Sequence, residues 1–291
     1  MPISPLPSSE FRVSAKSLAI DLLSTMPPRF PVAVGALLHG ATVLGIGENS
    51  MRVALARLRA RGLVESDERG LYRLSSIAQP VNRRVRSWRS VEESVTPWDG
   101  SWLAVDMSGL PRGDRKRSRQ CLRALRLLGF ETFTPALRIR PNNLVGGTGA
   151  MRERLSTLGF MPTPMTFELT SLDSELDSKA RSLWAVDTLE AGYLASRERL
   201  VASTERLSSL TQIEAMAETF RLGGEAVRRI VLDPLLPEPI VDAHARQALV
   251  DEMRRYDRLG RDCWKSWAGE ATVLERSPAE TGGLAAATGT A

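Results

Sequence analysis

Asn49, Ser50 and Arg52, with Arg57 and Arg59 just beyond, are the side chains of this sequence whose types and spacing suggest a definite chemistry. Asparagine can make two hydrogen bonds to an adenine edge, and arginine two to a guanine edge, when a helix carries them into the major groove of DNA. All five fall on one side of a predicted helix. The first three belong to its first two turns, the part that reaches base edges, whereas Arg57 and Arg59 are expected to meet phosphates. Arg69 and Arg73 lie in the stretch that follows and could reach the DNA backbone or minor groove. Arg83, Arg84, Arg86 and Arg89 form one basic run, and Arg112, Arg115, Lys116, Arg117 and Arg119 form another. Local density of this kind suits phosphate more than the total charge does.

Catalytic and metal chemistry have far less to work with. Cys121 and Cys263 form no disulfide framework and no Cys-x-x-Cys pair, while His39 and His244 stand alone. Asp106, with Asp99 and Asp114 nearby in sequence, could serve a metal-dependent nuclease only if carboxylates converged there. The expectation is therefore no enzyme, no catalytic residue, no metal and no cofactor. The sequence has 291 residues and a net charge of +5, with a pI near 9.7. That length suits two or three domains. No secretion signal or run of eighteen apolar residues is present, so a soluble cytoplasmic protein without membrane contact is expected.

The elements that would position these residues follow from periodicity. Ser14 is a predicted N-cap for a helix carrying Ala15, Leu18, Ala19, Leu22 and Leu23, stopped by Pro27-Pro28. A second helix is predicted to open at Pro31. After a Gly45–Gly47 turn a third buries Met51, Ala54, Leu55 and Leu58 and stops at Gly62, and residues 63–74 alternate as a two-stranded wing. Residues 14–75 thus read as a winged helix-turn-helix, after a flexible 1–13. A basic connector spans 76–97. Residues 98–171 read as β-α-β-β-α-β, a ferredoxin-like domain: a strand at Ser101–Met107 and a helix at Asp114–Leu128 with Cys121, Leu122, Leu125 and Leu128 inside. Strand material at Phe130–Arg140 then turns Leu137 and Ile139 in and Arg138 and Arg140 out. A helix through Met151, Leu155 and Leu158 and a strand through Met165, Phe167 and Leu169 complete it. Residues 172–270 are helical, interrupted by the proline-rich Asp233-Pro-Leu-Leu-Pro-Glu-Pro239, and 271–291 form a disordered tail. The fold class is multidomain α+β.

Three segments in this order resemble the PaaX-type transcriptional repressors: Met51-Arg-Val-Ala-Leu-Ala-Arg-Leu-Arg-Ala-Arg-Gly-Leu-Val64, Pro97-Trp98-Asp99-Gly100-Ser101-Trp102 with Leu127-Leu128-Gly129-Phe130, and Leu183-Trp184, Tyr193 and Arg228-Arg229-Ile-Val-Leu-Asp233-Pro-Leu-Leu-Pro237. The resemblance implies a homodimeric repressor of a catabolic operon, bound to double-stranded operator DNA and released by an acyl-CoA such as phenylacetyl-CoA. Trp184, Tyr193, Arg228, Arg229, Asp233 and Trp264 supply residue types suited to such an effector. Two alternatives stand beside it. One is a DNA-binding regulator with no small-molecule effector; the other is a nuclease using Asp106, because the small CRISPR-associated Cas2-like proteins share the central fold.

Overall fold

Ser14 starts the first helix with its own hydroxyl, which accepts from Ser17 N at 3.1 Å and so satisfies one of the amides a helix start leaves open. The computed structural model describes residues 13–25, 31–110 and 113–273; residues 1–12, Pro27-Pro28, Arg112 and 274–291, and the expectations placed on them, lie outside the described residues. The chain is mixed α/β, with many helices and two small antiparallel sheets. It divides into two compact units. An N-terminal unit comprises 13–78, 212–217 and the residues from 261 on, and a central unit comprises 79–211 and 218–260.

In the N-terminal unit the order is α1 (Ala15–Thr25), β1 (Val32–Ala33), α2 (Val34–Val43), α3 (Glu48–Ala60), β2 (Val64–Ser66) and β3 (Leu71–Leu74). Leu18, Ala19, Leu22 and Leu23 are buried on α1, and Met51, Ala54, Leu55 and Leu58 on α3, as the spacing predicts. The turn between α2 and α3 depends on Gly45, whose φ of +68° lets Ile46 N reach Ala41 O at 2.9 Å and Gly45 N reach Thr42 O at 3.0 Å. That double closure is a Schellman ending. Pro31 does not open a helix. The two residues after it pair with β3 instead, Val32 opposite Tyr72 and Ala33 opposite Leu71, so the sheet has three strands in the order β1-β3-β2.

The central unit opens with α4 (Gln79–Arg86) and a 3-10 stretch, Ser87–Ser94. Then come β4 (Trp102–Asp106), α5 (Arg115–Leu127), β5 (Glu131–Thr132), β6 (Leu137–Pro141), α6 (Gly147–Thr157) and β7 (Thr166–Leu169). The strands pair in the order β5-β6-β4-β7, every neighbour antiparallel. Helices α7 (Ser174–Arg181), α8 (Val186–Arg206), α9 (Gln212–Val231) and α10 (Ala243–Cys263) follow, and α11 (Lys265–Val273) ends the described chain. The helical stretch after 172 also breaks at Ser182–Ala185, and α11 runs to Val273, into the stretch expected as tail.

Alternation along β4 places its residues in two different cores. Leu103 and Val105 join Cys121, Ala124, Leu125, Met151 and Leu155 of α5 and α6. Trp102 and Ala104 join Trp184, in the break between α7 and α8, and Tyr193, Leu222, Leu249 and Met253 of the C-terminal helices. Neither face of β4 is left to water, which corrects the reading of its partner Arg140. Pairing with Leu103 puts Arg140 on the α5 side, opposite Ile139 as expected, yet that side is buried and the guanidinium is 1% exposed. It donates to Leu128 O at the end of α5, to Pro141 O at 3.0 Å and to Asn143 Oδ1 at 2.9 Å. Leu122, in turn, is exposed, because Cys121, Ala124 and Leu125 define the inner face and the residue after Cys121 turns about 100° away from it. Met165 is also exposed and precedes its strand.

The proline-rich segment is held against this second core. Asn143 Nδ2 donates to Leu235 O at 2.7 Å, and Leu235 packs among the α5–α6 residues. A Cβ on residue 129 would lie 2.8 Å from Pro234 Cα, so only glycine admits that approach. Arg140→Met is expected to lower unfolding stability in urea by about 2–4 kcal/mol, since three buried acceptors lose their donor. Arg152→Met, at an exposed position, should change it by under about 0.5 kcal/mol.

Candidate nucleic-acid interface

α3 buries one face completely and so fixes what the other presents. Asn49, Ser50, Arg52, Arg57 and Arg59 are all exposed. Arg52 approaches Glu48 only to 3.8 Å, both side chains more than half exposed, and a pair of that kind holds an arginine weakly. Arg59 Nη1 donates to Ser66 Oγ at 3.2 Å, joining the last turn of α3 to β2. Val53 was missed from sequence. It is 41% exposed and lies four residues from both Asn49 and Arg57, so an apolar group sits among the polar ones, of the type that contacts a thymine methyl. An apolar residue out of phase with Met51, Ala54, Leu55 and Leu58 was the signal available.

The β2–β3 hairpin is shaped by Asp67, whose Oδ1 accepts from Arg69 N at 3.0 Å and Leu71 N at 2.9 Å. Arg69 is exposed close to the tip. Arg73 pairs with Glu65 directly across the ladder at 2.9 Å, leaving its charge partly answered. α11 completes this unit: Trp267 is buried, donates to Ala36 O at 2.8 Å and meets Trp264 edge to face at 5.5 Å.

Arg83, Arg84 and Arg86 lie on α4 in the central unit, with Arg83 and Arg86 exposed. Arg89, at the end of that run, is already engaged. It makes a two-pronged pair with Asp257 at 2.7 and 3.2 Å and covers the Trp88 ring at 4.8 Å.

Of the effector candidates, Trp184 stacks on Trp102 at 6.1 Å and donates to Gly129 O at 3.3 Å. Tyr193 is buried and donates to Asp233, which also accepts from Leu235 N at 2.7 Å and has Arg246 at 3.7 Å. Burial holds the Asp233 carboxyl above the usual range against the pull of Arg246. Arg229 donates to Ser196 Oγ at 2.8 Å and fills the space beside Gly192, where a Cβ would lie 2.0 Å from its Nη1. Arg228 is exposed. Trp264 belongs to the N-terminal unit, where it donates to Met216 O at 3.1 Å. Tyr193 and Asp233 are thus bonded to each other with Arg246 beside them, Arg229 lies near enough to feel both charges while bonding Ser196, and Trp264 is bonded elsewhere. The Asp106 carboxylate is engaged by the amide and hydroxyl of Ser108, which lower its pKa. Among the described residues, no group of three or more His, Cys, Asp or Glu could hold a metal ion, and no helix is long and apolar enough to cross a membrane.

Residues 14–78 match the family model described as PaaX-like protein. No curated protein matches the sequence. Among solved structures, the chain resembles the uncharacterized protein Rv0674 from Mycobacterium tuberculosis, with a TM-score of 0.55 and 20% identity over 86% of this chain and 98% of that one. At that identity the likeness is one of fold.

One carboxylate of the N-terminal unit has an altered pKa. Burial pushes Asp21, on α1, up to about 7 from 3.8. Between those values the folded chain keeps a proton that the unfolded chain releases, so this group's contribution to stability falls as pH rises from about 4 to 7 and is flat above. Asp21→Asn is therefore expected to melt higher than the parent at pH 8 and close to it at pH 4. Equal melting temperatures at pH 8 would refute a desolvated Asp21.

Proposed function

We propose that this chain is a sequence-specific DNA-binding transcriptional regulator, a cytoplasmic non-enzyme, whose N-terminal unit is a winged helix-turn-helix that lays α3 in the major groove of double-stranded operator DNA. One observation carries the reading: a helix fully buried on one side presents Asn49, Ser50, Arg52, Val53 and Arg57 together on the other. The PaaX-like match over the same residues supports it. In this reading Asn49, Ser50 and Arg52 read base edges, while Arg57, Arg59, Arg69 and Arg73 steady the backbone. Arg83, Arg84 and Arg86 add phosphate contacts from α4. The strand order β5-β6-β4-β7 with two helices on one face supports a ferredoxin-like central domain, closed on its other face by the C-terminal helical domain. Repression of a catabolic operon, homodimerisation and release by an acyl-CoA rest on the resemblance to PaaX-type repressors. The bonded Tyr193–Asp233 pair, with Arg246 and Arg229 near it, is where an effector could act by disturbing existing contacts.

The test is selection of duplexes from a random pool, followed by affinity measurement on the selected site. Arg52→Ala and Asn49→Ala should each weaken it by about 1–3 kcal/mol and relax preference at one base pair. Unchanged preference in both would refute the α3 reading. Replacing Arg83, Arg84 and Arg86 by Gln should lower the slope of log K against log salt by about two to three units at unchanged preference.

A further inference from the structure

α5 carries Arg115, Lys116, Arg117, Arg119, Arg123 and Arg126 and no acidic residue in thirteen positions. Its buried Cys121, Ala124 and Leu125 fix how the helix is rotated. At about 100° per residue, Arg115, Arg119, Arg123 and Arg126 then fall within roughly a quarter-turn on the side away from the core, with Lys116 at its margin. All five are exposed. The stripe is about 16 Å long, the axial span of roughly ten phosphates in a DNA duplex.

Nothing in the folding of this helix asks for such a pattern. Cations in a first turn oppose the helix dipole, and like charges four apart, as in Arg115–Arg119 and Arg119–Arg123, repel. Asp114 offsets part of this by capping the amides of Lys116 and Arg117 at 3.0 and 2.9 Å. Several arginines elsewhere in the central unit are answered: Arg199 by Glu225 at 2.7 Å, Arg206 by Glu218, Arg254 by Glu92 and Asp251, Arg255 by Glu252. Among the described residues, none of Arg115, Lys116, Arg117, Arg119 and Arg123 has a carboxylate at ion-pair distance. Glu131 does feel Arg126.

We infer that α5 is a second duplex-DNA surface, one that binds the phosphate backbone without reading sequence. Its shape favours DNA over a membrane, because the apolar face a lipid-binding helix would insert is already spent in the core. Arginine-rich linear stripes match a regular row of phosphates. The surface lies in the central unit and stands whether or not α3 reads bases.

The experiment compares the full chain with its Arg115→Gln, Arg119→Gln, Arg123→Gln, Arg126→Gln variant. Binding to a labelled 25-base-pair duplex of arbitrary sequence is followed by anisotropy from about 50 to 200 mM salt. The variant should lose about three units of salt slope and bind at least about tenfold more weakly at the lowest salt. Its melting temperature should match or exceed the parent's, since repulsion has been removed. Parental affinity and slope in the variant would overturn the inference. So would loss of generic binding only together with unfolding, or parental binding to phosphatidylserine vesicles but not to the duplex. If this variant loses generic binding while Arg52→Ala and Asn49→Ala leave sequence preference untouched, the α3 reading fails and the α5 surface stands.

Discussion

A strand buried on both faces cannot dispose of a polar side chain by turning it around, and β4 with its partner β6 imposes that constraint on the whole central unit. Leu103 and Val105 face one core, Trp102 and Ala104 the other. Arg140 therefore has to be bonded where it stands, and the carbonyls of Leu128 and Pro141 and the amide of Asn143 do this. Those bonds reach further than the sheet. Asn143 passes the linkage to Leu235, so the end of α5, the end of β6 and the Asp233–Pro239 bend form one buried polar junction inside an apolar setting. Networks of this type hold only when every member is satisfied.

The same constraint explains what the sequence made legible and what it did not. Met51, Ala54, Leu55 and Leu58 are readable because a helix's inner face is written in its own periodicity, and the exposure of Asn49, Ser50 and Arg52 follows from it. Ile139 in and Arg140 opposite is equally readable. That the opposite side is also interior, covered by the neighbouring α5 and α6, is not reported by the alternation itself, in which an arginine reads as outward. Trp184 and Tyr193 failed to stand out for the same reason: an aromatic at helical spacing looks alike in a pocket and in a core, and here Trp184 lies flat on Trp102. β1 was missed because two residues beside a proline carry no period; their strand character comes from the open edge of β3.

Charge divides the arginines into two populations with different roles. Arg199, Arg206, Arg254 and Arg255 on α8 and α10 are tied to carboxylates and help fix the elements they join, and Arg89 does the same from the 3-10 stretch by engaging Asp257. Arg52 and Arg57 on α3 and Arg115, Arg119 and Arg123 on α5 face outward, and among the described residues the one ion pair at these positions is the weak Glu48–Arg52 contact. Composition alone, with a net charge of +5, hides this separation. Partnering, not abundance, distinguishes a structural cation from one held ready for an external anion.

The burial of Trp267 against Ala36 has a consequence in time. The N-terminal unit takes a side chain synthesised roughly 190 residues after its last strand, and at about 5–20 residues per second that is a wait on the order of 10–40 s. Until then the surface that receives α11 is open to water and to other nascent chains. The N-terminal unit is thus finished only after the central unit has been synthesised, and its completion reports that translation has passed α11.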